Sequence, residues 1–92
     1  SVKVNPANPA SYSNLGYVYF DIGIIDKAYE CQRKAIDIDP NFANAHYGLA
    51  LIYKNLGDFK AARRHWEEYL RIEPAGYFSR KAKEEIEALR DK

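Results

Sequence analysis

Residues 15–23 read LGYVYFDIG, and residues 49–57, lying 34 positions later, read LALIYKNLG. The two stretches share their leucine, their tyrosine and their closing glycine: Leu15 with Leu49, Tyr19 with Tyr53, Gly23 with Gly57. Outward at the same offset, Ala28 meets Ala62, Ile38 meets Ile72 and Pro40 meets Pro74. Val18 and Ile52, Ile22 and Leu56, Ile25 and Phe59, and Ile36 and Leu70 make further apolar pairs. A period that keeps apolar and backbone-special positions marks stacked units, each burying its face against the next. The register also runs backward, with Pro6 opposite Pro40 and with Val2 and Val4 opposite Ile36 and Ile38.

Each unit reads as two helices. Tyr12, Leu15, Gly16 and Tyr19 fall at i, i+3, i+4 and i+7, on one helical face. Asn8 before Pro9 suits an N-cap followed by a first helical position, where proline lacks only a donor that has no partner anyway. Gly23 ends that helix. A second runs from about Ile25 to Ile38, with Ile25, Ala28, Ala35 and Ile36 inward and Pro40 barring its continuation. In the next unit Tyr47 to Leu56 belong to the first helix, Gly57 turns the chain and Asp58 is the N-cap. Phe59, Ala62, Trp66 and Tyr69 form the second apolar stripe, which Pro74 closes. Beyond Ala75 and Gly76, a last helix carries Phe78, Ala82, Ile86 and Leu89 inward and Arg80, Lys83, Glu84, Glu87 and Arg90 outward, as the end of a stack requires.

These residues resemble the tetratricopeptide-repeat (TPR) family, whose unit carries an aromatic, Leu-Gly, Tyr, Ala, a late aromatic and a closing Pro. Unit one supplies Tyr12, Leu15, Gly16, Tyr19, Ala28 and Pro40, and unit two supplies Leu49, Tyr53, Ala62, Trp66 and Pro74. The departures are His46 in the opening aromatic place, Ala50 for the small glycine, Gln32 for the late aromatic and Tyr69 where Ala35 shows the usual small residue. Ile24 replaces the capping acid found at Asp58, so the second helix of unit one should start less firmly. The implied fold is an all-α, right-handed solenoid of antiparallel helix pairs, with two full TPR units and a C-terminal capping helix. Its expected divisions are 1–8 as the tail of a preceding repeat, 9–42 and 43–76 as the units, and 77–92 as the cap. The start at Ser1 and the absence of methionine add the expectation of a segment from a longer array.

The resemblance implies a protein-interaction scaffold that holds a peptide or helix of a partner in a concave groove lined by each unit's first helix. The residues agree, since a second face on those helices is rotated away from the core stripe. It carries Ser13, Tyr17 and Phe20 in unit one and Tyr47, Leu51 and Lys54 in unit two. Asn14, Asp21, Asn44 and Asn55 flank it, and Arg80 and Lys81 follow on the last helix. An apolar strip edged by amides suits anchoring of side chains and hydrogen bonding to a backbone; the alternative is that the last helix or a neighbouring repeat covers Tyr17, Phe20, Tyr47 and Leu51 as ordinary core. Some family members grip chaperone carboxylates with asparagines and basic residues. Here Asn14 matches the first asparagine and Arg80 the final arginine, but Ala10, Gly48 and Gly76 stand in the other places. The rival expectations are homo-oligomers formed by repeat stacking, with Val2, Val4 and Ile24 near the contact, and a docking or spacer role within a larger multidomain protein.

Fourteen basic against thirteen acidic residues leave a net charge of +1, without the basic excess that phosphate backbones demand, so nucleic acid is not an expected partner. No apolar run reaches the roughly 20 residues of a membrane span. Cys31 is the only cysteine, so no internal disulfide forms. It fits a reducing compartment, and the cytoplasm is the expected location. His46, His65 and Cys31 lie on three different helices at spacings that match no ligand motif, and no glycine-rich phosphate loop is present. No catalytic, metal or cofactor site is expected. His46 reads as a packing residue, His65 as a neighbour of Trp66 at the helix edge, and Cys31 as a small apolar filler.

Overall fold

The computed structural model describes residues 8–90, which form five helices: α1 (Pro9–Asp21), α2 (Ile25–Ile38), α3 (Ala43–Asn55), α4 (Phe59–Ile72) and α5 (Ser79–Ala88). Apart from Asn8, the expected tail of a preceding repeat lies outside the described residues, Val2 and Val4 with it. Local chemistry explains the boundaries. The Asn8 Oδ1 accepts a hydrogen bond from the Ala10 amide at 2.9 Å, with Pro9 in the first turn. Gly23 and Gly57 both adopt φ of 85°, a left-handed conformation that a side chain disfavours. Those turns are closed by bonds of 2.9 Å, from the Ile24 amide to the Tyr19 carbonyl and from the Asp58 amide to the Tyr53 carbonyl. Asp58 caps α4 by accepting from the Ala61 amide at 3.2 Å, whereas Ile24 gives α2 no side-chain cap.

The helices stack in a right-handed solenoid. α1 pairs with α2 and α3 with α4, α2 packs on α3 and α4 on α5, and α1 also touches α3. The body measures 41 × 26 × 19 Å. One core cluster gathers Ala28, Leu49 and Ile52, and a second gathers Ala43, Tyr47, Ala50, Ala62, Trp66, Tyr69, Ala82 and Leu89. The expected α5 stripe is therefore inward at Ala82 and Leu89, with Phe78 and Ile86 packed beside them, and the charged face is outward.

The two units fill one packing station in different ways. In unit one Gln32 is buried, its Oε1 accepting from the Ser13 hydroxyl at 2.8 Å and its Nε2 donating to the Ser13 carbonyl at 3.1 Å. A Cβ at Gly16 or Gly48 would run into the Gln32 amide. At the 34-residue offset the same four places hold Tyr47, Ala50, Trp66 and Ala82, all buried in the second cluster. A polar set in one unit thus corresponds to an aromatic set in the other. Tyr69, another departure from the repeat pattern, bears on the chain entering α5. Its hydroxyl accepts from the Phe78 amide at 3.1 Å, and its ring meets Phe78 edge-on at 6.4 Å. Among the described residues, the Trp66 Nε1 is buried without a hydrogen-bond partner. Leaving that donor unpaired costs about 1–3 kcal/mol, offset by the large apolar area the indole buries.

Because Gln32 is held at both ends of its amide, it has little freedom to yield. Gly48→Ala should lower stability by about 1–3 kcal/mol, and Gly48→Ala with Gln32→Ala should lose less than the sum of the two single changes. Urea denaturation of the four proteins in this cycle measures the coupling, and strict additivity would contradict the packing.

Candidate functional site

α1, α3 and α5 share one wall, and two polar cross-links tie it together. The Tyr17 hydroxyl of α1 donates to the Asn44 carbonyl of α3 at 2.7 Å. Burial, then the neighbouring Tyr47 and Tyr69, pushes the Tyr17 phenol well above its ordinary range, so it stays a neutral donor. From α3, Lys54 Nζ reaches both carboxylate oxygens of Glu85 on α5 at 2.9 and 3.1 Å, and Lys81 approaches the same carboxylate at 3.9 Å. Glu85 is buried, so the pairing neutralises a charge that would be costly alone.

The sequence-predicted wall residues divide into three groups. Asn14, Asp21, Asn44, Lys54, Asn55, Arg80 and Lys81 are exposed. Tyr17, Phe20 and Leu51 are half-buried, Tyr17 and Leu51 against the Trp66 cluster and Phe20 against the Leu49 cluster. Ser13 and Tyr47 correct the expectation of an open strip. Ser13 is closed off by its bonds to Gln32, and Tyr47 is only 5% exposed. Phe78 stacks on the Tyr47 ring at 4.4 Å and 13°, while Trp66 and Tyr69 meet it edge-on at 6.5 and 5.6 Å. The ring is enclosed because the segment leading into α5 folds over it. Read as part of the cap's stripe, Phe78 gave the only sequence signal for that cover. Beside the wall, a hollow of about 350 Å³ is lined by Asn41, Asn44, Tyr69, Glu73 and the almost fully exposed Tyr77, among others.

Sequence reasoning missed a second cluster. His46 and His65 come together across α3 and α4, with Nδ1 atoms 3.1 Å apart and rings stacked at 5.4 Å. His46 Nε2 lies 2.9 Å from the Pro40 carbonyl, which can only accept, so this nitrogen carries the hydrogen. In the neutral pair the His46 Nδ1 therefore accepts from the His65 Nδ1–H. His65 also stacks on Tyr53 at 5.5 Å and 8°, which corrects its expected place beside Trp66 at the helix edge. No spacing rule relates positions 46 and 65, which lie on separate helices. Among the described residues, no three His, Cys, Asp or Glu side chains are grouped to hold a metal. Cys31 is half-buried, and burial followed by the nearby Glu30 raises its thiol pKa despite Lys27 and Lys34, which makes it a poor thiolate nucleophile. No described helix is long and apolar enough to cross a membrane.

Family models described as "TPR repeat" and "Tetratricopeptide repeat" match residues 16–57 and 43–75. The chain belongs to the tetratricopeptide-repeat family. It is similar to the TPR repeat-containing thioredoxin TTL4 of Arabidopsis thaliana, 35% identical over 71% of this chain and 10% of that protein. It is also similar to the co-chaperone sgt12 of Aspergillus fumigatus, 30% identical over 83% of this chain and 22% of that protein. The chain spans about a tenth of the length of the first curated relatives it matches. Among solved structures it resembles MamA, with a TM-score of 0.84 and 25% identity over 95% of this chain and 49% of that one. The second TPR domain of human RPAP3, solved with an HSP70 peptide, shares the fold with a TM-score of 0.81 at 23% identity over 96% of this chain and 71% of that one.

TPR repeats are a protein-interaction fold, and this chain is a protein-interaction module. The place of the second clamp asparagine is Gly48, where even a Cβ would meet the Gln32 amide.

His65 gives the second TPR unit a pH dependence. The His65 pKa falls from 6.5 to about 4, chiefly through burial, then through His46, Arg33 and Arg64, with Glu68 opposing. The folded state thus favours the neutral ring. Its stabilisation is complete above the unfolded pKa and drains away as pH falls through the window from 6.5 to about 4. Because the ring is part-exposed and screened by solvent, the loss should be roughly 1–2 kcal/mol. Urea midpoints across that window should fall less for His65→Phe than for the parent chain, and equal slopes would show that His65 does not titrate as described.

Proposed function

We propose that the wall of α1, α3 and α5 holds an extended or helical segment of a partner protein. The observation that carries this reading is the pairing of half-buried Tyr17 and Leu51 with the exposed amides of Asn14, Asn44 and Asn55. Apolar side chains of a guest find a partly desolvated floor, and its backbone finds donors and acceptors along the edge. Lys54, Arg80 and Lys81 add cationic groups at the α3–α5 end. Tyr47 and Ser13 serve beneath the floor by keeping it rigid, which lowers the ordering cost of binding. The alternation of first and second helices supports this reading, since a guest lying across α1, α3 and α5 would meet successive first helices.

Self-association is the second reading, and α1 carries it. Val18 is 55% exposed, whereas Ile52, its counterpart on α3, is 1% exposed beneath α2. An apolar face that the repeat normally covers is thereby open to a second copy.

Peptides selected from a random displayed library against the chain should bind in the micromolar range. The variant carrying Asn14→Arg and Asn44→Arg should weaken them by about tenfold, with an unchanged thermal midpoint because both sites are exposed. Retained affinity in the folded variant would overturn the wall assignment. For the second reading, light scattering should show mass rising with concentration in the parent chain and not in Val18→Lys; a monomer throughout would remove it.

A further inference from the structure

On α2 and α3, away from the wall, lies a hollow that the repeat's packing leaves unfilled. Its volume is about 620 Å³, and Ile25, Asp26, Tyr29, Glu30, Tyr53 and Leu56 line it. At about 100° per residue, Tyr53 and Leu56 leave α3 roughly 140–200° round from Leu51, so the hollow opens on the opposite side from the wall. Tyr29 and Tyr53 form its corner, with ring centroids 6.1 Å apart and planes at 80°. The Tyr29 side chain, with burial, raises the Tyr53 phenol pKa, so the Tyr53 ring stays neutral. Ile25 and Leu56 supply aliphatic walls, and Leu56 is 61% exposed.

The mouth carries two carboxylates. Asp26 and Glu30 are four residues apart on α2, hence on one helical face, and both are exposed. Among the described residues, Glu68, Glu85 and Glu87 are in ion pairs, whereas neither Asp26 nor Glu30 is. Aromatic faces carry negative potential and attract cations, most strongly where water is partly excluded. The site is therefore an apolar slot that ends in tyrosine faces and two exposed carboxylates, of which Asp26 also accepts from the Lys27 amide at 3.1 Å. A bare metal ion would leave the slot empty, and a purely aliphatic side chain would make no use of the carboxylates. A long aliphatic stem with a cationic head uses both. Arg33 and Asp58 both act on the Tyr53 phenol, with opposite signs, so that end of the hollow is not one-sided in charge.

We propose that this hollow takes a lysine or arginine side chain from a basic segment of a partner protein, as a docking point separate from the wall. The stem lies along Ile25 and Leu56, and the head rests against the Tyr29 and Tyr53 rings between the two carboxylates.

The test is titration of the isotope-labelled chain with three synthetic peptides of repeating Gly-Lys-Leu-Gly: the parent, a lysine-acetylated form and a form with glutamate for lysine. The parent should shift the Tyr29, Tyr53 and Leu56 signals. Acetylation, or Asp26→Asn with Glu30→Gln in the protein, should weaken binding by about tenfold, and the glutamate peptide should not bind. Asn14→Arg with Asn44→Arg should leave the titration unchanged, which separates this site from the wall. Equal affinity for the acetylated peptide would make the hollow an apolar site and overturn the proposal. So would shifts confined to Leu51 and Lys54, or no shift at millimolar peptide. The acetylation arm needs no protein variant, so the test stands even if the double carboxylate change disturbs folding.

Discussion

A close approach between helices governs this molecule: one large side chain on each second helix wedges between small residues on the first helices of its own unit and the next. Gln32 sits against Gly16 and Gly48, and Trp66 shares a cluster with Ala50 and Ala82. Interiors are packed to near-crystalline density, so the volume given up on one side must be taken up on the other. A glutamine can stand where an aromatic is usual only because two glycines make room and Ser13 satisfies both ends of its amide. The spacing of α1, α3 and α5 follows from these contacts, and so does the breadth of the wall they share.

Other departures from the repeat pattern are also answered by a partner side chain. His46, in an aromatic place, stacks on His65 and bonds to it, and through Nε2 it holds the Pro40 carbonyl at the junction between units. Tyr69, in a small-residue place, receives the Phe78 amide and ring as the chain turns into α5. Such substitutions cost little because the polar atoms they bury find partners, in keeping with the general rule for buried polar groups. Among the described residues Trp66 is the exception, with its indole nitrogen unpartnered.

The cap shapes the exposed wall of α1, α3 and α5 as much as the repeats do. By laying Phe78 over Tyr47 and Glu85 against Lys54, the segment around α5 removes one aromatic from the wall and ties a lysine at its edge. What remains open is an amide-rimmed floor centred on Tyr17 and Leu51 on one side and the tyrosine corner between α2 and α3 on the other.

The 34-residue period, the glycine turns, the prolines and the Asn8 and Asp58 caps determine the helices and their order, because each acts over a few residues of chain. Helical periodicity likewise separated inward Ala28, Ala62 and Trp66 from the charged faces. It could not tell which residues of the second face stay open: Tyr17 and Tyr47 are alike in the sequence, yet Phe78 encloses only Tyr47. Nor could it join His46 to His65 or Tyr29 to Tyr53, for those pairs form across helices. Periodicity reports the direction in which a side chain leaves its own helix, whereas enclosure and pairing depend on what a different helix brings to the same point, and only the packed chain decides that.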